Sequence, residues 1–546
     1  MPAQPNSPIS WLNITDFTPG LVTVGGPQQP GAASSIVNCY PLPQGGLTPF
    51  FNSTPITVPF ALTPAPDAGT TPHVSSFLPI PTTNNGEQFI IGVHWISSGS
   101  DYYQLFSYTN NTLTSLYGPI SHAGANGSYF LSDTVYMRFY SGSLNVATDY
   151  AGTTTPFVPT ILTNWRPPSD ITSTTSLLLV YPSPNAPSTV GAVQVNAPVN
   201  GATTYYMAGS IVPYSSRVII FNTNEAVFST LGSLLTNDSV FFSDPPGNAN
   251  IYNGISSVAG GVIVYTTNPF EVFGYDPSGY GAFSTLSPNS IMLISKHRGG
   301  ILVQGDIANP TSVQLPAIES THGTVGIGAD THLGFVYVAG NANPYVYMGS
   351  IMSSPMGSNI ALGSFLTNDT ITNVEWQISS LGQFIFFSNN YVFDTVTSTY
   401  FSLSSPYFWS RLSASGKFYT CPLTFTNTLT INEYTLTTRS PSYSWTSHPI
   451  FSSQDSLTEI LEAAVQLDNP ATITLTITGP NSSTTATGIA CNAGITRIPI
   501  APMTDAYFQI SISVTSSTPL PATLFSLGIR RTTGTLAQSQ SGIPAP

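Results

Sequence analysis

Seven histidines, twenty-four carboxylates and three cysteines are the residues of this 546-residue chain with the widest chemistry. Their spacing decides what that chemistry can be. His73, His94, His122, His297, His322, His332 and His448 form no HxxxH or HExxH pair, so no helix-borne zinc site is written in the sequence. His94 sits beside Trp95 in an apolar run and reads as a hydrogen-bonded structural histidine. Cys39, Cys421 and Cys491 are too far apart for a disulfide framework or a metal knuckle, and read as buried thiols. No GxSxG elbow is present. Gly323, Gly326 and Gly328 make a glycine-rich turn, but neither a helix nor a lysine follows to cradle phosphate. Lys296, His297 and Arg298 are the basic cluster, read as a solvated or interface loop. Asp101, Asp244, Glu271, Asp276 and Asp394 are scattered, and nothing marks two of them as a glycosidase pair. A folded sheet could still bring two distant acids together. The 27 Tyr and 30 Phe read mainly as core, although exposed Tyr with Asn and Ser can bind glycans. No catalytic, cofactor-binding or metal-ligating residue is assigned from the sequence, and no enzymatic activity or cofactor is expected.

Composition narrows the class. Hydrophobic residues make up 41% and charged residues 6%, which excludes a solvating disordered chain. The surface must then be made of Ser, Thr, Asn, Gln, Gly and Tyr, as suits a chain largely buried in an assembly or facing a harsh exterior. The net charge of −13, with eleven bases, gives no basic stripe for nucleic acid. No apolar run reaches the length of a membrane span, and the first residues carry neither the basic nor the apolar part of a signal peptide. That combination suits a protein assembled inside a cell and released by lysis, or an exported one that has lost its signal.

The elements that would position any site are short strands. From Ser216 to Asp276, apolar, β-branched and aromatic runs of four to six residues are cut by Asn, Asp, Pro and Gly. Arg217 to Phe221 and Ala226 to Ser229 read as a hairpin, Ser239 to Ser243 as a further strand, and Gly261 to Thr266 with Phe270 to Tyr275 as another pair. The style recurs from Gly86 onward. Phe89 to Ile96, Tyr102 to Tyr108, a turn at Asn110 and Asn111, and Leu113 to Tyr117 follow in order. Hairpin pairs repeat at a loose spacing of about 40 to 45 residues, the size of a four-stranded propeller blade. A sandwich or a β-helix fits the same pattern. The expected architecture is all-β: an extended N-terminal arm (1–84), a β-propeller-like body of about seven or eight blades (85–440), a C-terminal β-sandwich (441–533) and a polar tail (534–546). Ala471 to Thr478 alternates strictly, as a half-exposed strand should. Ser456 to Glu459 has the form of a helix capping box, but the alternation from Glu459 to Leu467 favours a strand.

Three stretches together resemble the tail nozzle, or tail hub, proteins of short-tailed bacteriophages. The first is DFTPGLVT followed by GAASSIVNCYPLPQGGLTP, within Asp16 to Pro49. The second is VFFSDP at Val240 to Pro245, ahead of GGVIVYTTNPFEVFGYD. The third comprises SWTSHPI at Ser444 to Ile450, ITRIPIAP at Ile495 to Pro502 and LFSLGIRR at Leu524 to Arg531. The resemblance implies a propeller joined to a sandwich. It also implies a virion protein of the tail, assembled with itself as a ring of six below portal and adaptor proteins, carrying tail fibre or tip proteins and passing the genomic DNA. A receptor- or glycan-binding tail adhesin is the alternative from another class.

Overall fold

The computed structural model describes residues 9–122 and 378–535, apart from 23–27, 82–86, 389, 414–415, 452–455 and 517–519, together with strands and a few turns between 134 and 356. All regular structure among the described residues is β-strand. Among the described residues seven antiparallel strand groups follow one another, at 73–122, 134–162, 208–266, 282–318, 329–355, 378–402 and 409–439, the sixth being four strands of a ten-stranded sheet. The first strand of each touches the first strand of the next: His73–Pro81, Thr134–Tyr140, Ala208–Tyr214, Ala282–Ser287, Ala329–Thr331, Ile378–Leu381 and Trp409–Leu412. The last of these then touches His73–Pro81. The sheets therefore close into a ring with their first strands innermost, which is a β-propeller-like body.

Residue types explain the local turns. Ser100–Thr109 and Thr112–His122 join through Asn110 and Asn111, whose φ angles of 50° and 60° give the left-handed two-residue turn that suits a twisted hairpin. Ser98, at φ 52°, and Gly99 make the preceding turn, and the Asp67 carboxylate accepts the amides of both, at 2.7 and 3.3 Å. The loose 40–45-residue spacing is corrected. Successive first strands begin as little as 31 residues apart, from 378 to 409, and as much as 74 apart, from 134 to 208. The strand pairs are regular, whereas the chain between them varies. Arg217–Asn222 pairs with Glu225–Phe228 as expected, and the latter pairs with Val262–Thr266. The strands expected at 239–243 and 270–275 lie outside the described residues.

The first 84 residues are not a separate arm in the described part. Phe51–Pro59 is the fourth strand of the seventh sheet, paired along Thr428–Arg439, so the ring is closed by the two ends of its own chain. His73–Pro81 is the first strand of the first sheet, paired with Glu87–Ser97, and a division at 84/85 would cut that hairpin. Ile9–Ile14 pairs with Leu524–Thr535. Ala33–Val37 pairs with Ser442–Ser447 on one side and, through the single parallel pair Val37 and Ser402, with the sixth blade on the other.

The C-terminal body is a sandwich. One sheet runs Cys39–Pro41, Leu47–Pro49, Leu524–Thr535, Ser456–Leu467, Gly494–Asp505, with Ile9–Ile14 also on Leu524–Thr535. The other runs from Ala33–Val37 through Ser442–Ser447, Tyr507–Ser516 and Ala471–Thr478 to Ser483–Cys491. Alternation buries Ile473, Leu475 and Ile477 from one strand and Phe508, Ile510, Ile512 and Val514 from its neighbour against Val465, Ile498, Leu527 and Ile529. The capping-box segment is a strand, as its alternation predicts. A bulge between Ile460 and Glu462 shifts that alternation by one residue, which is why it is imperfect. Phe17 meets Trp445 edge-on at 5.3 Å inside this core. Such a pair contributes about 0.5–1.5 kcal/mol beyond burial.

Candidate functional site: the seam of the ring

The chemistry-bearing residues are mostly held apart. His332 Nε2 lies 3.0 Å from Thr395 Oγ1, and His448 Nε2 lies 2.6 Å from the Val22 carbonyl oxygen. His73 is half-buried in the first blade, where loss of water lowers its pKa. His94 is its cross-strand partner by register. Asp394 is buried and accepts from Gln383 Nε2 (2.9 Å), the Val396 amide (3.1 Å) and Thr397 Oγ1 (2.7 Å), so it fixes the turn after its own strand. Cys39, Cys421 and Cys491 are buried free thiols, and burial raises the pKa of each. Among the described residues no group of three His, Cys, Asp or Glu could hold a metal ion, and no helix is long and apolar enough to cross a membrane. Asp244, Glu271, Asp276, Lys296, His297, Arg298 and the Gly323–Gly328 turn lie outside the described residues.

One convergence was not visible in the sequence. Glu87 opens the second strand of the first blade, and Ser413 follows the first strand of the seventh. Ser413 Oγ donates to the Glu87 carboxylate across the seam, at 2.9 and 3.0 Å from its two oxygens. Tyr419 and Glu433 are register partners within the seventh blade, and the Tyr419 hydroxyl donates to Glu433 Oε2 at 3.1 Å. Lys417 Nζ lies 3.4 Å from Glu433 Oε1. Burial raises the Tyr419 pKa most, followed by the charges of Glu87 and Glu433 and the hydrogen bond to Glu433. The phenol therefore stays protonated and acts as a donor. The Glu433 carboxylate thus accepts from a hydroxyl whose residue is fully buried, with Phe89 edge-on at 5.0 Å. The Ser413–Glu87 bond ties the last blade to the first, while Tyr419, Lys417 and Glu433 bond within the last.

The rest of the seam is built for the same task. Trp409 Nε1 donates to the Val74 carbonyl oxygen at 2.8 Å, and the Val74 amide donates to the Leu423 carbonyl oxygen at 2.6 Å. Phe77, Phe89 and Trp95 of the first blade share one core with Trp409, Tyr419 and Leu429 of the seventh. Beside the seam, Phe60, Phe106, Leu113 and Pro119 line an apolar recess of about 500 Å³, at whose wall the Gln104 amide donates to Ser115 Oγ at 2.8 Å.

No protein-family model matches the chain, and no curated protein matches it. Among solved structures it is similar to an exo-β-1,3-galactanase from Phanerochaete chrysosporium with galactose (11% identity, TM-score 0.25, covering 88% of this chain and 100% of that one). It is also similar to a Penicillium chrysogenum α-L-arabinanase complexed with arabinobiose (11% identity, TM-score 0.28, 71% and 99%). A third is a puromycin-hydrolyzing peptidase of Mycobacterium tuberculosis (9% identity, TM-score 0.35, 69% and 58%). The expectation of a chain without enzymatic activity is corrected to one left open, since these solved structures are those of hydrolases. At these identities and TM-scores the likenesses carry no reaction, substrate or catalytic residue to this chain.

Proposed function

We propose that the chain is a structural subunit of the tail of a short-tailed bacteriophage, a nozzle protein that assembles with itself into a ring, lines the exit path of the genome and offers attachment surfaces to fibre or tip proteins. The observation that carries this reading is the placement of the N-terminal segment. Within residues 9–81 the chain gives strands to the sandwich, to the sheet shared with the sixth blade, to the seventh blade and to the first. A wall loaded by a passing genome needs two bodies that do not hinge, and a segment paired into both supplies that. The charge fits as well. With 24 acids against eleven bases, the surface repels a phosphate backbone, so DNA passes without adhering. The apolar recess beside the seam suits the side chains of a neighbouring protein. The test is labelling of intact particles with antibody against the chain, viewed in negative stain. Label at the free end of the tail is the expected result, and label on the capsid or nowhere overturns the reading.

A further inference from the structure

The second sandwich sheet turns outward a face without charge. Its five sandwich strands, Ala33–Val37, Ser442–Ser447, Tyr507–Ser516, Ala471–Thr478 and Ser483–Cys491, contain no Asp, Glu, Lys, Arg or His. Alternation sends Ile473, Leu475, Ile510 and Ile512 into the core and leaves Thr472, Thr474, Ser511 and Ser513 on the outer side. Register lines the hydroxyls up across the sheet. Thr485 lies opposite Thr476, Thr476 opposite Ser511, Ser511 opposite Thr446 and Thr446 opposite Ser35. Thr476 Oγ1 lies 3.2 Å from Thr485 Oγ1, and Thr446 Oγ1 lies 3.0 Å from Ser511 Oγ. Thr474 and Ser513 are partners in the next row. At one end of the face Tyr507 continues the outer side of its strand, opposite Phe451, whose ring stands 5.1 Å away. Phe451 is 59% exposed. The other sheet of the same sandwich differs, since its strands carry Glu459, Glu462, Arg497 and Arg530.

A face without charge and with an exposed aromatic pair has the composition of an interface core, where charged residues are depleted and Tyr and Phe enriched. Its chemistry also limits what can cover it. A hydroxyl both donates and accepts, so it pairs with Ser, Thr, Asn or Gln of a neighbour. An ordinary protein surface, with about a quarter of its residues charged, would bury charges here without partners. A second copy of this chain, with 6% charged residues, would not. Two copies of net charge −13 also repel one another, and they do so least where a face carries no charge. Five strands about 4.8 Å apart, with about seven residues each at about 3.4 Å, make a face of roughly 570 Å². Both partners together then bury about 1,100 Å², which reaches the size of a specific contact. We propose that this face is a subunit contact, packed against the neutral surface of a second copy, with Phe451 as its apolar anchor. The proposal rests on the reading of the chain as a self-assembling ring and adds which face makes the contact.

The test is the native mass of the full chain by mass photometry over a concentration series. The parent is compared with a double variant, Thr474→Lys with Ser513→Lys, which sets two charges in the middle of the face. The parent assembles, and the double variant needs a concentration about tenfold higher or more to do so. Added positive charge lowers the net repulsion between copies, so a loss of assembly reports the face and not the overall charge. Phe451→Ala, a truncation at an exposed position, shifts assembly in the same direction. Ala501→Lys, exposed on the other sheet, leaves it unchanged. Melting temperatures near that of the parent show that association is lost and folding is not. If the double variant does not fold, Ser513→Lys alone and Phe451→Ala decide. An assembled parent whose folded variants assemble equally well overturns the proposal and leaves the ring standing. A parent that stays a single chain at every concentration overturns both. Loss of assembly on Ala501→Lys to the same degree as in the double variant also overturns the proposal, because the effect would then not belong to this face.

Discussion

The indole N–H of Trp409 and the carbonyl oxygen of Val74 meet at 2.8 Å although 335 residues separate them. This bond crosses the seam where the propeller-like ring closes, and both partners are buried. Trp409→Phe keeps an aromatic ring but leaves the Val74 carbonyl unpaired in a dry site, which costs about 1–3 kcal/mol. Trp409→Ala adds the loss of packing and costs about 3–5 kcal/mol. Urea titration followed by tryptophan fluorescence checks both. Equal midpoints for parent and Trp409→Phe would mean that the seam bond contributes nothing.

Phe50 is the second joint. Its ring lies 5.1 Å from Phe384 and from Phe401 in the sixth blade, 6.0 Å from Tyr434 in the seventh and 6.3 Å from Tyr40 in the sandwich. Phe50→Ala therefore destabilises by about 3–5 kcal/mol. Calorimetry should show both bodies unfolding earlier, because the ring packs against each of them. A variant in which only one transition moves would show that they are independent.

The acid side of the stability profile follows from His73. Its folded pKa is lowered by burial from the ordinary 6.5. As pH falls below about 6.5 the unfolded chain takes up a proton that the folded chain resists, so stability is full above that value and falls below it. The melting temperature of the parent should drop more than that of His73→Gln between about pH 7 and pH 5. Parallel curves would remove His73 as the cause.

The three thiols give a direct probe of packing. Cys39 and Cys421 are 0% exposed and Cys491 2%. A thiol reagent should label none of them in the native protein and all of them in denaturant. Fast native labelling of Cys421 would mean that the seventh blade opens.

Much of the fold was legible because strands announce themselves. Ala471 to Thr478 alternates and is buried in that same alternation, and Asn110 with Asn111 takes the left-handed turn that their side chains tolerate. The partners of Phe51–Pro59 were not legible, since nothing local in that stretch says that its neighbour is the strand from Thr428. Pro-rich composition made residues 1–84 look like an arm, yet Pro55 and Pro59 fall in an outermost strand, where a missing amide costs little. The Glu87, Ser413, Tyr419 and Glu433 cluster was invisible for the same reason: it is made by register and ring closure, not by spacing.

The native mass of the purified assembly, with negative-stain class averages, tests the central claim most directly. A ring of about six subunits around an open centre is what the account predicts. A monomer, or a compact trimer without a channel, would contradict it.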